Sequence, residues 1–295
     1  MPKTMKPTTP KTGHLRDILA ILGIGFAWVA LLVLLMFLVY ILQGMLNIGY
    51  EYVLETGADG QEMWRVIPPS LDFAMTVSML LVMALLYWRL KRKKQIHPGA
   101  FSFRQLRPYA KAIVLVILCY AGCGLMYAMS GELDLTIGGG IVGALRNAEI
   151  MVLLALFSML LFDGRIIGYL RGKGRSDEEI VRVIAQETLL LDILARLLGT
   201  GAAYLRGEAI GIVGVEDIIA LLAGVAYAVL FARLYLASGS MMGRGVLISA
   251  AWLVAADASS YSIWHYAADA LLLLGLCAAI RIVKEKTGRC KNGLT

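Results

Sequence analysis

Eight apolar runs, a composition that water cannot solvate, and cations confined to alternate connecting segments predict an all-α, polytopic transmembrane bundle. It has about eight spans and both ends on the cytoplasmic side. Hydrophobic residues make up 59% of the 295 and charged residues 17%, and mean hydropathy is +0.73. A water-soluble domain of this size has too little interior to hide that much apolar surface. The net charge of +7 does not indicate a nucleic-acid partner. It sits in short segments between apolar runs, where it reports topology. The expected surroundings are the lipid bilayer of the plasma membrane.

A hydrocarbon core about 30 Å thick takes roughly 20 residues at 1.5 Å rise each. After a basic tail, residues 1–17, the first span covers 18–45. It is too long for the core of a secretory signal and no small-residue cleavage site follows, so it is expected to stay as an anchor. The outer segment 46–69 carries Glu51, Glu55, Asp59 and Glu62 and ends in Pro68-Pro69. Spans follow at 70–90, 109–130 and 148–170, the last interrupted near its inner end by Asp163 and Arg165. Ser176-Asp177-Glu178-Glu179 reads as a capping box, opening a short interfacial helix that runs into a fifth span at 187–206. Further spans lie at 214–236, 244–258, which is short, and 262–283, before a basic tail at 284–295. Residues 18–283 thus form one transmembrane domain.

The cations test the count. Of 28 basic residues, all but Arg65, Arg146, Arg196 and Arg206 fall in the tails or in the alternate segments assigned to the cytoplasm. Those segments hold Lys91–Lys94, Arg165–Arg182, Arg233 with Arg244, and Arg281–Lys291. One helix more or fewer would invert every later loop and destroy the bias. Trp64, Trp252, Tyr261, Trp264 and Tyr266 stand where interfacial aromatics belong. No proline follows Pro108, so bends rely on glycine, as at Gly138-Gly139-Gly140 and Gly199-Thr200-Gly201.

Ionisable residues at membrane depth are costly and are functional candidates by default. Asp192 and Arg196, four apart, share a helix face. They form either an intrahelical ion pair that helps a weak span insert or, with Glu187, part of a polar cavity. Glu149 stands at the outer mouth of the fourth span, where it is expected to pair with Arg146. Asp257, Tyr261, His265 and Asp269 recur every four residues as a polar stripe at the outer ends of the last two spans. His265 with Asp269 could relay a proton or hold a metal, but a solvated interface accounts for the stripe more simply. Cys119 and Cys123 share a face inside an apolar run, where packing explains them better than a metal does. No His-Glu-x-x-His zinc motif, Gly-x-Ser-Gly elbow or phosphate-binding loop is present. The chain therefore calls for no cofactor and no metal.

The stretch Leu221–Met241, ending Ala237-Ser238-Gly239-Ser240-Met241, resembles the late helix and following turn of the CPBP membrane family (CAAX proteases and bacteriocin-processing proteins). The basic hinge 89–108, with Phe101-Ser102-Phe103-Arg104 before a new helix, is similar to that family's early cytoplasmic loop. The resemblance implies an eight-helix core. The family's Glu-Glu-x-x-x-Arg helix is not matched, because Glu178-Glu179 reach Arg182 one residue too soon. The helix after Ser240-Met241 offers Ser249 and Ala250 where the family has histidine. The sequence thus points to a CPBP-like scaffold without the protease site, binding another membrane protein or a membrane-anchored peptide. A small-solute or ion transporter is the second reading, and a diverged glutamate-dependent intramembrane protease the third.

Overall fold

A computed structural model describes residues 13–48, 51–56, 62–67, 71–97, 99–130, 148–206, 214–252 and 263–291. The architecture is a bundle of helices with one small β-hairpin. Helix α1 (Gly13–Leu46) is apolar on every side, which suits a helix whose surroundings are lipid. Asn47 ends it in the left-handed conformation (φ 53°), and the Ile48 N–H returns to the Gln43 carbonyl at 3.0 Å, closing the last turn.

The next segment corrects the sequence reading, which gave 46–69 no regular structure. Strands β1 (Glu51–Thr56) and β2 (Glu62–Ile67) pair antiparallel, with Glu51 opposite Ile67 and Thr56 opposite Glu62. The signal lay in the sequence between them, where Gly57 and Asp59-Gly60 are turn formers flanked by Tyr52-Val53 and Val66-Ile67.

Helix α2 (Leu71–Arg92) leads through a hinge and a 3₁₀ turn (Phe103–Tyr109) to α3 (Ala110–Ser130). Helix α4 runs without a break through Ala148–Ser158, a π-helical stretch Met159–Ile166, and Ile167–Gly172. Helices α5 (Asp177–Leu205), α6 (Val215–Ser238), α7 (Met242–Trp252) and α8 (Ile263–Lys291) complete the described residues. The capping box at the start of α5 forms as the spacing requires. The Ser176 N–H and hydroxyl donate to Glu179 Oε2 at 2.9 and 3.1 Å, and the Glu179 N–H donates back to Ser176 Oγ at 3.3 Å.

Six of these helices are long and apolar enough to cross a membrane: α1, α2, α3 with its 3₁₀ lead-in, α4, α6 and α8. This is the make-up of a multi-pass membrane protein. Helix α5 carries Glu187, Asp192 and Arg196 along its length, and the described part of α7 has only 11 residues; neither is among the six.

Two apolar cores hold the bundle. One gathers α1, α2, α4 and the first half of α5 around Met79, Leu86, Leu90, Ile167 and Ile180. The other gathers α3, α6, α7 and α8 around Val116, Leu230, Leu234, Leu247 and Leu276. Small residues bring α3 and α8 together: a side chain at Gly275 would collide with Cys119 Sγ, and Cys123 Sγ donates to the Ala268 carbonyl at 3.2 Å.

The cation-rich helix ends meet at one end of the bundle. Asp17 of α1 is held by Lys173 and Arg175 at 2.8 and 2.6 Å, and Arg233 binds Glu178 at 2.9 Å. The Asp17 carboxylate, accepting from Lys173, raises that lysine above the usual range. The hinge after α2 docks on the turn after α6 at this same end. The Met241 N–H donates to the Ala100 carbonyl at 2.7 Å and the Ser240 hydroxyl to the Ser102 carbonyl at 2.9 Å. Gly239 caps α6 in the left-handed conformation (φ 70°), where a side chain would be strained.

Candidate functional site

The most unusual chemistry lies in the interior, where α4, α5, α6 and α7 meet. Asp163 belongs to the π-helical stretch of α4. Such stretches add a residue to the turn, shift the register of the side chains, and recur at functional sites. None of its positions three or four residues away on α4 is basic: they are Leu160, Met159, Ile166 and Ile167. A counter-ion must therefore come from another helix. It is Arg244 of α7, whose Nε donates to Asp163 Oδ1 at 3.0 Å and whose Nη2 stands 3.0 Å from the same oxygen.

Two glycines make this approach possible. A side chain at Gly164 would lie 2.7 Å from Leu90 Cδ1, and one at Gly245 would lie 2.6 Å from Met159 Sδ. Backbone packing at these points presses α4 against α2 and α7 against α4, and carries Arg244 inward. The guanidinium is then sheathed by aromatic faces, Phe162 at 5.0 Å and Phe231 at 4.4 Å, which offset part of its desolvation through their π-electrons.

Arg244 corrects the sequence reading, which counted it among the cytoplasmic loop cations. Its side chain is 7% exposed and that of Asp163 1%. Glu187 of α5 is also buried, at 3% exposure, and the Arg244 charge acts on it. The centre thus holds two buried carboxyl groups and one buried guanidinium. Asp163 Oδ2 is buried without a hydrogen-bond partner, which leaves acceptor capacity open to an added donor.

The other candidates go elsewhere. Arg196 pairs with Asp217 of α6 rather than with Asp192 of its own helix, so the intrahelical pair is replaced by an interhelical one. Asp217 also accepts from the Gly214 N–H at 2.9 Å, which ties the pair to the start of α6. Asp192 is half-buried and its Oδ2 lies 3.0 Å from where a Gly224 side chain would begin. Glu149 is the second residue of α4; its side chain and Arg146 lie outside the described residues, as do Gly138–Gly140. In the outer stripe, Asp257 and Tyr261 are likewise outside the described residues. His265 packs its ring 5.3 Å from Tyr127. No group of three or more metal-ligating side chains occurs among the described residues.

Sequence reasoning found Glu187 but missed its companions. The available signals were an Asp in an apolar run without a local partner, and an Arg flanked by Gly243 and Gly245 ahead of the apolar run from Val246. No family model, curated protein or solved structure matches this chain.

Proposed function

We propose that this chain is an eight-span protein of the cytoplasmic membrane, with both termini in the cytoplasm. In this reading a CPBP-like scaffold binds a membrane-embedded protein or a membrane-anchored peptide and does not cleave it. The six apolar helices among the described residues, with α5 and α7 as the two further crossings, support the span count, and the cations gathered at one end support the orientation, since basic ends stay on the cytoplasmic side. The two segments that carry the family resemblance, 89–108 and 221–241, dock on each other through Ser240 and Met241, which favours a shared scaffold.

The carrying observation is the Asp163–Arg244–Glu187 centre. Asp163 is paired with the buried Arg244, the Arg244 charge also acts on the buried Glu187, and Asp163 Oδ2 accepts no hydrogen bond. An amine or a free backbone N–H from a partner helix would complete it. Protease chemistry finds less support: Glu178 is tied to Arg233 and Glu179 to the capping box at the basic end. The test is affinity capture of the tagged chain from native membranes. Glu187→Gln is expected to lower partner recovery at least about tenfold, the loss of roughly one charge-assisted hydrogen bond, while Asp192→Asn leaves it unchanged. Equal recovery with Glu187→Gln and the parent would end this reading.

A second reading is favoured by the same surplus of acid over base, which suits a proton- or cation-coupled transporter. Substrate-stimulated flux in vesicles holding the purified chain, abolished by Glu187→Gln, would select it over partner binding.

A further inference from the structure

We propose that a groove at the basic end, between α1 and the arginines Arg89 and Arg165, holds one anionic phospholipid. Its phosphate lies against the two guanidinium groups and an acyl chain lies along α1. The groove encloses about 410 Å³ and is lined by Ala20, Gly23, Ile24, Ala27, Trp28 and Leu31 of α1, with Arg89 of α2 and Arg165 of α4.

Charge gives the first argument. The two arginines are close enough for the Arg89 charge to act on Arg165, and among the described residues no carboxylate lines the groove. Arg165 Nε is buried without a hydrogen-bond partner. The nearby Asp17 is already held by Lys173 and Arg175, and residues 1–12 contain no acidic side chain that could fold back. An anion between two like charges that line one groove relieves their repulsion, and the planar donor fork of arginine matches phosphate oxygens.

Shape gives the second. From Ala20 to Leu31 the helix rises about 16 Å, the depth of one leaflet of a hydrocarbon core about 30 Å thick. Apart from the arginines, the lining is apolar. Small residues at 20, 23 and 27 hollow one face of α1, and nothing lies within 4 Å of where a Gly23 side chain would begin. A soluble anion would use the cations and leave this apolar trough unfilled; a phospholipid uses both.

The experiment places the full chain in nanodiscs of phosphatidylcholine doped with phosphatidylglycerol and counts retained lipid by native mass spectrometry. The parent chain is expected to keep one phosphatidylglycerol. Arg89→Gln with Arg165→Gln should weaken retention roughly 25-fold, about fivefold for each arginine. Gly23→Leu keeps both cations but fills the trough, and should weaken retention as well. Arg281→Gln, at an exposed arginine paired with Glu285 on α8, should change nothing. Unfolding midpoints in the same nanodiscs check integrity, and Arg89→Gln alone, at an exposed position, serves if the double variant does not fold. Unchanged retention in the arginine variants or in Gly23→Leu overturns the proposal. So does an equal loss in Arg281→Gln, which would report surface charge alone. Displacement of the lipid by inorganic phosphate in a Gly23-independent manner would assign the cations to a soluble anion and also overturn it.

Discussion

Of the ion pairs that join helices of this bundle, Arg244–Asp163 and Arg196–Asp217 differ sharply in their surroundings. Arg244–Asp163 lies in the interior of the bundle, with its side chains 7% and 1% exposed and its guanidinium between two aromatic rings. Arg196–Asp217 lies at the start of α6, with its side chains 42% and 33% exposed. The chemistry is the same. In the first pair each charge has lost its solvent and depends on the other. In the second, each can fall back on water or headgroups. Sequence position gives little warning, since Arg244 stands two residues inside α7 and Arg196 deep within α5.

The largest effect should come from breaking the inner pair. Arg244→Ala leaves Asp163 buried and uncompensated and is expected to cost about 3–5 kcal/mol, read as thermal unfolding in nanodiscs. Replacing both partners, as in Asp163→Leu with Arg244→Met, should restore most of that loss, because an apolar pair of similar volume needs no compensation. If the double variant were as unstable as the single, the pair would not be the reason for the cost.

An intermediate effect tests how the inner pair is positioned. Gly245→Val would drive a side chain into Met159 and Gly164→Val one into Leu90, each costing about 1–3 kcal/mol through overpacking. A neutral result at both sites would mean that the close approach of α7, α4 and α2 is not required to seat Arg244.

The outer pair should respond least. Arg196→Ala is expected to change stability by less than about 1 kcal/mol, as exposed pairs do. A loss as large as that of Arg244→Ala would erase the distinction drawn between them. A smaller pH effect belongs to the basic end. Bonds from Ser176 hold the Glu179 carboxyl below its ordinary value of 4.5. Its capping contribution is therefore present above that value and fades as pH falls through the depressed one. Glu179→Gln should remove this acid-side slope from an unfolding-versus-pH series and leave the neutral-pH fold intact.

What the sequence determined by itself was local or averaged over many residues. Apolar runs marked every described α-helix, because a backbone in lipid must satisfy its own hydrogen bonds. The Ser176–Glu179 cap was legible because both partners lie within one turn. The β-hairpin was equally local, and was missed because the loop was read only for its charges. Glu187 stood out as a candidate because a carboxylate in an apolar helix is costly wherever it points.

Tertiary structure alone decided which charges meet. Asp163 and Arg244 are 81 positions apart, Arg196 and Asp217 21, and Asp17 and Lys173 156. Nothing in the spacing within a helix specifies such pairings. They follow from which helix faces touch, and that is set by packing: the glycines at 164 and 245, the π-helical turn of α4, and the docking of the hinge onto Ser240 and Met241. Hydropathy along a chain sums independent residue preferences. A buried ion pair is a joint property of two residues and of everything that excludes water from both.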